Sequence, residues 1–229
     1  MSEVLSGWKV ARAVALVGVL AAPGARAEEP AGEAEGVQAD VETPVAATDA
    51  LGFEVTGFVD VYYGYNFNET DPLLRSFDVQ HNTFSLGVAE IAFEKAPGAD
   101  SRVGARIDLN FGKTADLVAA FEPEPGGPEI YKYIQQAYLS VLAGDKLTLD
   151  VGKFVTPIGA EVIESADNWN YTRSTLFGYA IPFYHTGVRA TFAASEEVSL
   201  SGFALNGWNN GFETNSNKTF AVEIGRAHV

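Results

Sequence analysis

Hydrophobic and polar residues alternate with a period of two along most of the chain after residue 52. In the first such stretch, the odd positions from Phe53 to Tyr65 are apolar, aromatic or Gly. The even positions of the same stretch include the polar residues Glu54, Asp60 and Asn66. A period of two sends successive side chains to opposite faces of a β-strand. The pattern therefore predicts strands with one apolar face and one polar face.

The alternation recurs often enough to predict an all-β fold, and long stretches with a helical period are scarce. The eight expected strands cover residues 53–66, 83–95, 101–112, 130–142, 147–155, 183–193, 198–208 and 219–225. Two of these strands are irregular. The apolar phase changes between Val88 and Ile91, which indicates a β-bulge, and it changes again between Leu200 and Phe203.

The connections between these strands alternate in length. Short links follow the second, fourth and sixth strands, at residues 96–100, 143–146 and 194–197. Long links follow the odd-numbered strands, at residues 67–82, 113–129, 156–182 and 209–218. Short turns at one end and long loops at the other are typical of outer-membrane β-barrels, whose short turns face the periplasm. A soluble β-sandwich has no reason to separate its connections in this way.

Aromatic residues gather at the strand ends that adjoin the long links. Tyr63 and Tyr65 end the first strand, Tyr131 and Tyr133 begin the fourth, and Trp208 ends the seventh. An aromatic band is expected where a barrel wall crosses the membrane–water interface. Together with the connection lengths, this band predicts a transmembrane antiparallel up-and-down β-barrel.

The first fifty residues have a different character. Residues 1–27 are predicted to be a signal peptide, because Lys9 and Arg12 precede a short apolar run and Ala25-Arg26-Ala27 fits the cleavage rule. Residues 28–50 contain seven acidic residues and no Lys or Arg, which predicts a disordered acidic leader. The barrel segment is then expected to cover residues 51–222.

The end of the chain is also unusual. Residues 223–229 read EIGRAHV, which is the translation of a widely used sequencing adapter in one reading frame. We therefore expect these residues to be an artefact. The preceding strands would then be a truncated fragment, about eight strands of a larger barrel.

Composition excludes several classes of protein. The 229 residues include no Cys, so disulfides and Cys-ligated metals are excluded. The net charge of −15 argues against a nucleic-acid partner, and no apolar stretch is long enough for a membrane-spanning helix. Phosphate-loop and nucleophile-elbow motifs are missing, and His81, His185 and His228 are scattered. We therefore expect no enzyme activity, no cofactor and no metal.

Charged residues on the polar phase of the strands are the candidates for lining a pore, because such charges set ion preference. They are Asp60, Arg102, Arg106, Asp108, Asp150, His185 and Arg189. The alternative is that these side chains only pair with one another and fill the interior of the barrel.

The longest link, 156–182, contains the charged residues Glu161, Glu164, Asp167 and Arg173. Long ordered connections in compact proteins are usually functional, so we expect this one to fold inward as a constriction loop. Its acids would then face the arginines of the wall and set up a transverse field. The alternative is a loop on the extracellular surface.

Several segments together resemble one known family, the beta-barrel porin-2 family. They include Phe58-Val-Asp-Val-Tyr-Tyr-Gly-Tyr-Asn66, Gly152-Lys-Phe-Val-Thr-Pro-Ile-Gly-Ala-Glu161, Asn168-Trp-Asn170 and Pro182-Phe-Tyr-His185-Thr-Gly187-Val-Arg189. The resemblance covers about residues 53–208 and is most specific over 152–189. It implies a bacterial outer-membrane porin of more than eight strands, and it implies no defined substrate and no catalytic residues.

The leading functional hypothesis is an outer-membrane porin for passive diffusion of small hydrophilic solutes or ions. Its expected partners are those solutes and outer-membrane lipid, and porins of this kind are often homotrimers. One alternative is a non-transporting barrel for adhesion or envelope anchoring. Another is an outer-membrane enzyme with carboxylates at the barrel mouth. A conductance step in a planar bilayer would separate the first hypothesis from the others.

Overall fold

The computed structural model describes residues 17–18, 52–122 and 129–226. These residues form one sheet whose nine strands lie side by side in sequence order. The strands are β1 (Val17–Gly18), β2 (Glu54–Gly64), β3 (Thr83–Lys95), β4 (Val103–Phe111), β5 (Ile134–Leu142), β6 (Leu147–Val155), β7 (Tyr184–Ala193), β8 (Val198–Leu205) and β9 (Thr219–Arg226). The short strand β1 pairs in parallel with β2, and every later neighbouring pair is antiparallel.

Strands β2–β9 coincide with the eight predicted strands, and the predicted all-β, antiparallel up-and-down fold of a barrel wall is confirmed. The boundaries differ most before β5, where Glu129–Tyr133 forms a 3-10 helix instead of the start of a strand. Within that helix, Lys132 pairs with Glu129, and it also pairs with Asp116 earlier in the same connection. A pair three residues apart fits a helical turn and not an extended strand, which accounts for the later start of β5.

The connections separate by length as predicted. The three short ones, 96–102, 143–146 and 194–197, lie at one end of the sheet, and the long ones lie at the other end. The long connections contain α1 (Lys113–Ala119), a 3-10 helix (Ser165–Asp167) and α2 (Thr175–Tyr179). Within the described ranges, no helix has the length and apolar character needed to cross a membrane.

The two faces of the sheet have opposite character. The outer face carries large apolar side chains that are exposed, such as those of Val59, Ile107, Leu139, Val151 and Val188. The inner face carries polar side chains that are buried, among them those of Asp60, Asp108, Gln136, Ser140, Asp150 and His185. Period-two alternation in each strand produces this separation, because pairing keeps equivalent positions of neighbouring strands on the same face.

Two bulges interrupt the regular pairing. Asp60 pairs with Val88 and the next residue, Val61, pairs with Leu86, so Gly87 is the extra residue of a bulge in β3, which lies just before the predicted position between Val88 and Ile91. The second bulge was not predicted and leaves Gln135 without a partner in the β4–β5 ladder. A bulge changes the direction of the side chains around it. Both bulges are next to residues of the inner face, Asp60 in one case and Gln136 in the other.

The sequence predicted an irregularity in the seventh strand, and this prediction is wrong for the corresponding strand β8. Strand β8 pairs with β7 in continuous register through Leu200 and Phe203. The apparent change arises because Phe203 and Leu205 lie on the inner face, where they pack with Phe154 in a small buried cluster. Apolar residues on an otherwise polar face therefore gave the sequence the pattern that a shift of register would produce.

The main apolar core lies at the end of the sheet that carries the long connections. It consists of Phe77, Val118, Ile163, Phe177, Phe183 and Tyr184. Most of these side chains come from connections and not from strands, so the long loops form an ordered layer with its own core.

Some predicted segments cannot be compared with the structure. Of the predicted signal peptide, only residues 17–18 are described. The acidic leader 28–50 and residues 227–229 lie outside the described residues, whereas 223–226 complete β9.

Candidate functional site

The arginines of the inner face pair with acids of the same wall. Arg106 on β4 donates from Nε to Asp108 at 2.9 Å and from Nη1 to Glu94 at 3.0 Å. Arg189 on β7 donates from Nε to Asp150 at 2.8 Å, and its guanidinium lies 4.8 Å from the ring centre of Phe154. Each arginine thus neutralises a buried carboxylate, because Asp108 and Asp150 are both buried.

Two further candidates, His185 of β7 and Arg102 just before β4, lie at opposite ends of the wall. His185 is buried near the long-loop end, where its Nε2 lies 3.2 Å from Thr156 Oγ1 and its Nδ1 lies 3.1 Å from the Gly207 carbonyl oxygen. Arg102 is exposed at the short-turn end and donates to the Leu142 carbonyl at 3.0 Å. His185 therefore joins two long connections, while Arg102 stands at the opposite rim.

The connection 156–183 between β6 and β7, which we call the inner loop, lies against the inner face. The Tyr171 hydroxyl donates to Asp60 of β2 at 2.9 Å, and the Tyr171 ring packs 5.6 Å from that of Tyr62. On the other side, Gln135 of β5 donates to Glu164 of the loop at 2.5 Å. The inner loop thus contacts strands that lie three positions apart in the sheet.

Arg173 holds the inner loop together from within. Its guanidinium donates to the carbonyl oxygens of Val162 at 3.2 Å and Tyr171 at 2.6 Å, and also to that of Ile163. It also lies 4.3 Å from the ring centre of Phe77. Burial lowers the pKa of Arg173 from its ordinary value. With only 4% of its surface exposed, Arg173 organises the backbone of the loop and does not face open space.

The inner loop contains three acids, Glu161, Glu164 and Asp167, and their surroundings differ. Glu161 accepts a hydrogen bond from the Ser174 amide at 2.9 Å and another from the Ser174 hydroxyl, so it supports the start of α2. Asp167 ends the 3-10 helix and is exposed. Only Glu164 reaches the wall directly.

Glu164 lies beside other acids and not beside a free arginine. Its electrostatic neighbours include Asp108 and Arg106, and it is in turn a neighbour of Glu90 on β3. Dense protein surroundings raise the pKa of Glu164, although part of its side chain is exposed. Among the described residues, no ion pair joins a loop acid to an arginine of the wall. The wall arginines Arg106 and Arg189 are paired within the wall, and the transverse field between the loop acids and these arginines stays a prediction.

Sequence reasoning missed several residues that the structure brings to this site. Glu90 and Asn110 are cross-strand partners on the inner face, Gln135 occupies the second bulge, and Tyr171 binds Asp60. The polar doublet Gln135-Gln136 breaks the alternation of β5 and could have signalled the bulge. In the part of the chain that the structure describes, no group of three or more His, Asp or Glu residues could hold a metal ion.

Comparison with models of protein families identifies a family for this chain. The family model described as Putative beta-barrel porin-2, OmpL-like, matches residues 52–227. No curated protein matches the chain. The matched range begins just before β2 and ends just after β9, so it includes the whole antiparallel sheet and the inner loop.

Proposed function

Because the chain belongs to the beta-barrel porin-2 family, we propose that it forms a pore in the bacterial outer membrane for passive diffusion of small hydrophilic solutes or ions. The family accounts for the β-barrel porin character of the chain. The two faces of the sheet and the inner loop support the passage of solutes.

The observation that carries the proposal is the contrast between the two faces. Each strand from β2 to β9 carries exposed large apolar side chains on the outer face, such as those of Val61, Ile107 and Val222. A surface of that size suits a lipid environment and is rare on water-soluble proteins. The inner face bears acids, amides and hydroxyls, which suit a passage filled with water.

The inner loop supports the same proposal. It lies across the polar face and contacts Asp60 and Gln135, on strands β2 and β5. A loop in that position narrows the space beside the wall, so large solutes would be excluded. Because side chains of both signs line this space, it suits polar solutes and ions better than apolar ones.

Reconstitution of the full-length protein in a planar lipid bilayer tests the proposal. We expect discrete, equal conductance steps in a salt solution, with no requirement for an energy source. Protein that is folded and inserted but gives no conductance steps would contradict diffusion and support an anchoring or adhesive barrel. The matched control is the same preparation unfolded by heat before addition.

A further inference from the structure

The corner between β3, β4, β5 and the inner loop contains buried oxygen atoms that lack hydrogen-bond donors. They are Glu90 Oε2, Asn110 Oδ1 and Gln135 Oε1, and the Nδ2 donor of Asn110 is without a partner as well. Asn110 is 2% exposed and Gln135 is 3% exposed, so water has little access to either amide. Buried acceptors of this kind are costly unless a donor or a cation satisfies them.

The residues that carry these atoms belong to neighbouring strands of the inner face. Glu90 and Asn110 are directly paired residues of β3 and β4 and lie on the same face. Gln135 bulges from β5 beside them, and its Nε2 holds Glu164 at 2.5 Å. Its unpartnered Oε1 belongs to the same carboxamide and therefore also lies beside Glu164. The corner thus gathers two carboxylates and two amide oxygens from four separate segments.

The charge of this corner is not balanced by the wall. Arg106 is the nearby cation, and it is already paired with Asp108 and Glu94. Glu90 and Glu164 have no ion-pair partner among the described residues. Glu164, Asp108 and Asp167 all act on Glu90 as neighbouring negative charges. Such an arrangement favours a bound cation.

We propose that Glu90, Asn110, Gln135 and Glu164 form a binding site for one hard divalent cation, with Ca²⁺ as the best-fitting ion. All four supply oxygen, the ligand atom that Ca²⁺ prefers, and Ca²⁺ accepts mixed carboxylate, amide and water ligands in irregular geometry. Mg²⁺ requires a near-ideal octahedron, which ligands from four separate segments supply less readily. Only two ligands are acids, in keeping with the lack of any three-acid metal site among the described residues.

The bound ion would connect the wall to the inner loop, because Glu90 belongs to β3 and Glu164 to the loop. The site lies on the same inner face as the proposed pore, but Ca²⁺ binding does not require that the barrel conducts ions. A barrel that binds Ca²⁺ and fails to conduct would support the site and refute the proposed function. A barrel that conducts without binding Ca²⁺ would do the reverse.

Isothermal titration calorimetry of Ca²⁺ into the full-length protein, folded in detergent and freed of divalent ions, tests the site. We expect one saturable site, weakened about tenfold or more by Glu90→Gln and by Glu164→Gln. Glu54→Gln is the matched control, because Glu54 is an exposed acid on the same face of the neighbouring strand β2, outside the four ligands and outside the ion pairs of Arg106. It should leave Ca²⁺ affinity unchanged.

Two results would overturn the site: no saturable binding by the native protein, or equal affinity in the native protein and both ligand variants. If a Gln variant does not fold, the native protein alone decides the matter. Ca²⁺ must then raise its Tm in a saturable manner, and more than the same concentration of Mg²⁺ does. If the native protein does not respond to Ca²⁺, greater stability of the Gln variants would show that neutral side chains suit these positions better than charged ones.

Discussion

The hydroxyl of Tyr171 in the inner loop donates a 2.9 Å hydrogen bond to the buried carboxylate of Asp60 on β2. This bond attaches the loop to the opposite side of the inner face from its contact with Gln135. Hydrogen bonds to a charged acceptor contribute about 1.5–3 kcal/mol. The bond is therefore strong enough to determine whether the loop stays close to the wall.

Tyr171→Phe removes the hydroxyl and keeps the ring. We expect the loop to detach more often from β2, so single-channel conductance in a planar bilayer should rise and proteolysis within the loop should accelerate. Tyr179→Phe is the control, because its hydroxyl lies in the same loop and bonds the Arg75 carbonyl at 3.2 Å instead of the wall. Equal effects of the two substitutions would show that the Asp60 contact does not position the loop.

Ile107 tests the orientation of the sheet toward lipid. Its side chain is exposed on the outer face in the middle of β4. Ile107→Arg should destabilise the inserted barrel by about 2–4 kcal/mol, the usual effect of Arg or Lys near the bilayer midplane. Ile107→Leu should insert normally. Denaturant unfolding in lipid vesicles measures both, and tolerance of Arg at this position would mean that β4 does not face lipid.

Arg106→Gln tests the ion pair of the inner face. Asp108 is fully buried, so removal of Arg106 leaves an uncompensated charge. Loss of one partner of a buried pair costs about 3–5 kcal/mol, and we expect the lower end because Arg106 is partly exposed. Adding Asp108→Asn should recover part of the loss in the free energy of unfolding.

Arg102→Gln is the control for that experiment. Arg102 is exposed at the short-turn end and contacts a backbone carbonyl, so its loss should cost less than about 1 kcal/mol. If Arg102→Gln and Arg106→Gln have the same effect, or the Asp108→Asn addition recovers nothing, the pair contributes no coupling.

Glu164 predicts a pH dependence of loop docking. Its pKa is raised in the folded protein, mainly by burial. The folded state therefore binds more protons than the unfolded loop once the pH exceeds the ordinary pKa of Glu, and docking weakens as the pH rises through the raised pKa. In buffer free of divalent ions, hydrogen exchange in the inner loop should be slower at about pH 5 than at about pH 8 after correction for intrinsic rates. Glu164→Gln should abolish most of this difference, and an unchanged pH dependence in that variant would assign it to another group.

The strands could be predicted from the sequence because their apolar and polar positions alternate and their connections alternate in length. The start of β5 could not, because Tyr131 and Tyr133 continue the alternation, whereas the ion pairs of Lys132 form only in the folded chain. Phe203 was interpreted as a phase change for a related reason. Its position depends on packing against Phe154 from another strand.

The polar phase of the strands placed Asp60, Asp108 and Arg189 on the correct face, since phase is a local property. Partnership is not local. Strand register brings Glu94 to Arg106, and the residue that meets Asp60 lies 111 positions away. Glu90 carried no distinguishing signal either, because its significance comes from its neighbours Asn110 and Glu164.

The strict neighbour-to-neighbour order of β2–β9 has a consequence for the route of folding. The three hairpins with short turns, β3–β4, β5–β6 and β7–β8, can each close from a short, contiguous stretch of chain, which keeps the entropy of loop closure small and pairing fast. The bond between Tyr171 and Asp60 joins segments separated by all of β3–β6. Strands β2–β6 must therefore pair before the inner loop can dock against Asp60. Docking of the loop is thus a late step in folding.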